Sequence, residues 1–207
     1  MLNTTTINID ERQGNNEIRL PSTSATVNEG DGTVDFTVEL DQLQANNLSI
    51  SVDYQVQGGT ATPGNGNDFE LVGAGTLSFT GNNTTNTQTA TISVDLNDDF
   101  INEPSETIVI ELLNPQNTII ATGSETFTYT INDNDNAPEA GFVSTSESQA
   151  ENAGNVVVAV NLSNPTTQTV SVDVSSSGGT ATDGTDYISV SNTLTFSPGD
   201  TVESFTY

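Results

Sequence analysis

Residues 27–40 read VNEGDGTVDFTVEL. From Thr33 onward the apolar side chains fall at every second position, Val34, Phe36, Val38 and Leu40, with Asp35, Thr37 and Glu39 between them. An extended backbone turns successive side chains to opposite faces, so this pattern predicts a strand with one apolar face and one wet face. The same alternation returns at Leu48–Val56, Leu77–Phe79, Ala90–Leu96, Ile108–Leu112 and Phe127–Ile131, and a further strand is expected to end near Thr26. No stretch carries apolar residues at helical spacing. Seven strands, each with a polar face, predict two antiparallel sheets packed face to face: an all-β, seven-stranded sandwich. Asp35, Glu39, Asp53, Asp95 and Glu111 then belong to the solvated faces.

The charge balance narrows the function. Of 207 residues, 28 are Asp or Glu and two are Arg, with no His and no Cys, for a formal charge of -26. Binding a phosphate backbone or an anionic membrane surface requires basic side chains, so nucleic acid and direct membrane insertion are excluded as partners. Without His or Cys the chain has no neutral-pH general base of the usual kind, no thiolate and no soft metal ligand. Hard cations held by oxygen remain. Leu, Ile, Val and Phe number 50, about 24%, enough for a folded core. The longest wholly apolar run, Val156–Val160, is far short of the roughly 20 residues of a membrane-spanning helix, and no secretory signal is visible at the start.

Internal similarity divides the chain. Glu29 in VNEGDGTVDFTVEL matches Glu151 in AENAGNVVVAVNL; GGTATPGNGNDFE (58–70) matches GGTATDGTDYI (178–188); Leu77–Phe79 matches Leu194–Phe196. The offsets of 122, 120 and 117 residues drift as short loop insertions make them drift, which identifies one module occurring twice. The expected organisation is an amino-terminal segment (1–21), a first module (22–135), a linker (136–141) and a second module (142–207) that runs through about five strands. TTTINID (4–10) resembles TYTINDND (128–135), as though a preceding module's last strand were present, and is a segment the second module could borrow to complete a sheet.

In a sandwich of reversing strands, alternate loops share one end. The loops after the first, third and fifth strands and the exit of the seventh hold Glu29 and Asp31, then Asp68 and Glu70, then Asp98, Asp99, Glu103 and Glu106, then Asp133 and Asp135. The opposite end holds almost no acid. Crowded carboxylates repel, by about 1 kcal/mol per pair at 4 Å in water and more where solvent is excluded, and a bound cation relieves this. Ca2+ suits carboxylates converging from several loops because it takes six to eight oxygens in tolerant geometry.

With those residues in place the chain resembles the Calx-beta family, the calcium-binding module of sodium/calcium exchangers and integrin beta-4 that also occurs in tandem in large bacterial surface proteins. The matching pieces are VNEGDGTVDFTVEL, GGTATPGNGNDF, GAGTLSFTG, DDFINEPSE and TYTINDND. The resemblance implies an immunoglobulin-like sandwich with Ca2+ at one pole. It carries the metal role onto Glu29, Asp68, Asp98, Asp99, Glu103, Glu106, Asp133 and Asp135, and in the second copy onto Glu151 and Asp186. Asn132 and Asn134 interrupt the final acidic run, which predicts weak affinity, in the range of roughly 10⁻⁴ to 10⁻³ M seen for extracellular modules.

The expected function is a calcium-binding structural and adhesive repeat of a larger exported or cell-surface bacterial protein, in which Ca2+ stiffens the junction with neighbouring modules and the array meets an extracellular ligand. A calcium sensor attached to a transporter and an accessory module of a carbohydrate-active or other hydrolytic enzyme are the alternatives. No catalytic residues are assigned: Glu103 and Glu106, three apart at a strand start, need not flank a substrate as a glycosidase pair does.

Overall fold

The structure, a computed structural model, describes residues 16–41, 49–64, 66–72, 75–80 and 87–206. The TTTINID segment lies outside them. Fifteen strands run in chain order through these residues: β1 (Glu17–Arg19), β2 (Ser24–Asn28), β3 (Thr33–Asp41), β4 (Ser49–Gly59), β5 (Phe69–Val72), β6 (Thr76–Thr80), β7 (Gln88–Leu96), β8 (Glu106–Gln116), β9 (Ile119–Ile120), β10 (Thr126–Asn132), β11 (Ala140–Phe142), β12 (Val157–Leu162), β13 (Val170–Ser175), β14 (Ser191–Phe196) and β15 (Val202–Thr206). The described helical structure consists of two 3₁₀ turns, Glu29–Asp31 and Glu151–Ala153. No helix in the described residues is long and apolar enough to cross a membrane.

The chain forms two compact units: residues 1–27, 31–97 and 106–131, and residues 28–30, 98–105 and 132–207. In the first, one sheet has the order β5-β7-β3-β1-β9 and the other β2-β10-β8-β4-β6. The stretch read first becomes β3, paired antiparallel with β7 from Thr33↔Asp95 to Leu40↔Gln88. Its even-numbered side chains point into a core shared by both sheets, with Val38, Leu40, Ile92, Val94, Ile50, Val52, Ile108 and Ile110 essentially fully buried. Phe36 stacks on Phe127 with ring centroids 4.2 Å apart, and Tyr129 meets both rings edge-on. The polar faces are also paired across strands: Thr33 donates to Asp95, Thr76 and Asn114 donate to Asp53, Gln55 donates to Glu111, and Arg19 bridges Glu39 at 3.0 Å.

The described residues of the first copy and the segment before it hold ten strands where seven were expected. The three extra ones are short: β1 and β9 pair in parallel at one edge of their sheet, and β5 pairs with β7 at the other. Stretches of two to four residues are too short for period-two alternation to register, and it is their neighbours that make them strands. β1 lies before residue 22 and pairs with β3 from Glu17↔Asp41 to Arg19↔Glu39. Where β4 leaves β8 the register shifts between Val56 and Gly58; Gly59 has φ +126°, and a Cβ there would sit 2.0 Å from the Thr107 carbonyl oxygen. Only glycine fits so close an approach, which is why the Gly-Gly-Thr-Ala motif opens with it.

The second unit repeats the pattern on a smaller scale. β11, β12 and β15 form one sheet and β13 and β14 a hairpin. In that hairpin Val170 opposes Phe196 and Val172 opposes Leu194, the register in which Ile50 opposes Phe79 and Val52 opposes Leu77 in the first copy. Its core holds Val160, Leu162, Val174, Leu194 and Phe196, while Phe142, Val143, Val157, Ile188 and Val202 are exposed.

Candidate metal centre

The acidic residues converge because three chain segments turn at one place in the second unit. The first is the 3₁₀ turn Glu29–Asp31 that follows β2, closed by Gly32 at φ +70°, a conformation glycine adopts without strain. The second is the loop of residues 98–105. The third is the exit of β10 through Asp133–Asp135.

Glu29 is the most enclosed of these carboxylates, 6% exposed. Its Oε1 accepts the Asp99 main-chain N–H at 3.0 Å. The Asp99 side chain turns its own loop by accepting the Ile101 N–H at 2.6 Å, an Asx-type turn. Asp133 is held from both sides: Oδ2 accepts the Asn102 side-chain amide at 2.9 Å and the Glu103 N–H at 3.2 Å, and Oδ1 accepts the Asp135 N–H at 3.2 Å. Asn134 donates to Asp98 Oδ1 at 2.9 Å, and Ser105 donates to Asn132 Oδ1 at 3.2 Å. One carboxylate oxygen from each of Glu29, Asp133 and Asp135 can be chosen so that all three lie within 4.8 Å of one another.

Two observations bear on what the cluster fits. Asp135 Oδ2 is buried and has no hydrogen-bond partner, a condition that costs free energy unless something supplies positive charge or a donor. The carboxyl of Glu29 is pushed up to about 7, chiefly by burial; the Asp99 N–H opposes the rise, and the charges of Asp99, Asp133 and Asp135 add to it. Asp135 is raised for the same reasons, burial first and then the charges of Asp133, Asp99 and Asp98. An enclosed, all-oxygen set of like charges with an orphaned oxygen fits a hard divalent cation of the Ca2+ kind.

Asp68 and Glu106 sit in the first unit; Glu29, Asp98, Asp99, Glu103, Asp133 and Asp135 sit in the second. Asp68 closes its own loop. Its carboxylate accepts the Thr62 N–H, and its N–H reaches the Thr62 carbonyl at 3.1 Å. Asp186 does the same for the Thr182 N–H at 2.8 Å, so the same loop-closing contact occurs in both copies although six residues separate the pair in the first and four in the second. Glu151 begins the second 3₁₀ turn, but its side chain lies outside the described residues. Asn102 escaped the sequence reading because a search for charge passes over amides; the only signal for it was its place inside the acidic loop.

The Calx-beta domain model matches residues 10–135 and again 133–206. No curated protein matches the chain. Among solved structures the chain is similar to CBD12 from CALX1.2, with 24% identity over 92% of this chain and 73% of that one and a TM-score of 0.44. It is also similar to the apo form of the Calx CBD1 domain, with 28% identity over 58% of this chain and 99% of that one and a TM-score of 0.46. The calcium binding domain CBD12 of CALX1.1 is a third, with 24% identity over 91% and 74% and a TM-score of 0.43. With both copies covered by the family model, the chain belongs to the Calx-beta domain family.

Proposed function

We propose that the protein is a calcium-binding, non-catalytic repeat module of a larger exported or cell-surface protein, in which Ca2+ at the acidic pole stiffens the junction between tandem copies. The observation that carries this is the Glu29, Asp133 and Asp135 cluster with its orphaned Asp135 Oδ2. Those three residues would hold the ion, with Asp98 and Asp99 beside them. When bound, the cation supplies the positive charge that the cluster lacks. The chain's own part is to orient the ligands: the Asn102 amide and the Glu103 and Asp135 N–H groups fix Asp133, and the Asp99 N–H fixes Glu29. Because Asp133 and Asp135 lead directly into residues 136–141, ordering them orders the start of the linker. The tandem organisation and the acidic surface support an adhesive role in a bacterial array, with neighbouring modules and an extracellular ligand as partners.

The test is unfolding by urea in millimolar CaCl2 and in metal-free buffer of matched ionic strength. A ligand that binds only the folded state adds RT ln(1 + [L]/Kd), about 2.7 kcal/mol at a hundredfold excess over Kd. The midpoint should rise with Ca2+, the rise should vanish in Asp133→Asn/Asp135→Asn, and it should persist in Asp35→Asn/Asp53→Asn on the strand faces. Equal midpoints in the two buffers would mean that the acid is solubilising only.

A further inference from the structure

Asn102 makes hydrogen bonds in two directions. Its side-chain amide donates to Asp133 Oδ2 at 2.9 Å and to the Asp135 carbonyl oxygen at 3.3 Å. Its main chain is gripped by residues that follow β12: the Asn102 N–H reaches the Pro165 carbonyl at 3.1 Å, the Thr167 N–H reaches the Asn102 carbonyl at 3.2 Å, and the Thr166 hydroxyl donates to that same carbonyl at 2.7 Å. Asn102 and Thr166 form a parallel β-bridge. Thr166 is 2% exposed and is fixed in turn, its hydroxyl accepting the Gln168 N–H and its carbonyl accepting the Gly199 N–H at 2.9 Å. A continuous chain of hydrogen bonds therefore runs within the second unit from Asp133 through Asn102 and Thr166 to the turn before β15.

We propose that Asn102 is a positioning residue of the acidic site that couples its occupancy to the Pro165–Gln168 loop of the second copy. The proposal rests on the calcium function for the identity of the ligand and goes beyond it in naming the residue that transmits binding. Asp133 keeps its orientation because Asn102 donates to it, and Asn102 keeps its own because the Thr166 bridge holds its backbone. Releasing the loop frees the amide and loosens the ligand. Thermodynamic linkage makes the effect reciprocal: whatever factor the ordered loop adds to cation affinity, the bound cation returns as order in the loop.

The experiment uses the 207-residue chain with CaCl2 as the probe. Calorimetry reads affinity, and amide hydrogen exchange at Thr167 reads the bridge. Thr166→Val removes the hydroxyl at nearly constant volume, Asn102→Ala removes the amide but spares the main-chain bridge, and Thr193→Val, whose hydroxyl donates to Asp173 on the β13–β14 hairpin, is the control. A coupling of ordinary size predicts that Ca2+ slows Thr167 exchange by about fivefold or more in the wild type and that Thr166→Val loses about the same factor in affinity. Asn102→Ala should also lose affinity, and the control should lose none. Wild-type affinity in both Thr166→Val and Asn102→Ala, or Thr167 exchange unmoved at calcium saturation, overturns the proposal. If the wild type binds no calcium, it is the calcium function that fails. The coupling is then read in the cation-free chain, where Asp133→Ala should speed Thr167 exchange; exchange unchanged in that variant overturns the coupling as well.

Discussion

The Oε1 of Glu29 accepts the main-chain N–H of Asp99 at 3.0 Å across 70 residues of sequence. This hydrogen bond secures the loop of residues 98–105 to the turn after β2, and it does so with a carboxylate that burial and three neighbouring charges make costly to ionise. The enclosure that lets Glu29 organise the pole also makes the cation-free pole unstable near neutral pH.

That cost sets a pH dependence. A carboxyl raised from 4.5 to about 7 on folding contributes stability that is complete below about 4.5 and is lost as pH rises through about 7. The metal-free protein should therefore be less stable at pH 7.5 than at pH 5, with Asp135 acting in the same direction. Glu29→Gln, which cannot ionise, should flatten the decline. Urea unfolding of both proteins at the two pH values checks this, and an equal decline in the variant would assign the loss to general repulsion among the acidic residues.

Gly30 separates structure from binding. A Cβ there would lie 2.8 Å from Asn134 Nδ2 and 3.3 Å from Asp98 Oδ1, both at the ends of flexible side chains. Gly30→Ala should leave stability within about 0.5 kcal/mol. It should displace the Asn134 to Asp98 hydrogen bond and weaken Ca2+ binding, which calorimetry would register as a higher Kd. Undiminished affinity would show that this pair does not shape the site.

Tyr129 carries a buried hydroxyl that makes no hydrogen bond, and burial with the nearby charge of Asp35 pushes the phenol up to about 12, so it stays protonated. Removing an unsatisfied buried polar atom while keeping the ring should be neutral or stabilising by about 1 kcal/mol. Tyr129→Phe is expected to unfold at the same or a higher urea concentration. A clear loss of stability would reveal a partner for the hydroxyl.

The two units should differ in protection. Among the described residues, twenty buried apolar residues form the core of the first unit and five that of the second, and opening free energies follow buried apolar contact. Amides of β12–β15 should exchange faster than those of β3, β7 and β8. Equal protection of both sets would require the second unit to be held by something other than its own core.

The long strands were legible in the sequence because each alternates over five or more residues, so Val34 to Leu40 or Ile108 to Leu112 can point inward in only one way. The duplication was legible as well, but the reason for glycine at Gly59 and the loop-closing contacts of Asp68 and Asp186 were not. The expectation that acid gathers at one pole came from loop parity alone. What alternation could not supply was β1, β5 and β9, whose extended form comes from the strands beside them. Nor could it say which carboxylates meet, as the tertiary structure does in bringing Glu29, Asp133 and Asp135 within reach of one another, or that Asp68 and Asp186 accept N–H groups of their own loops. Asn102 shows the limit most clearly. It has no charge and no periodicity to mark it, and its importance comes from hydrogen bonds to Asp133 and Thr166, contacts between segments far apart in sequence that only the folded chain can make.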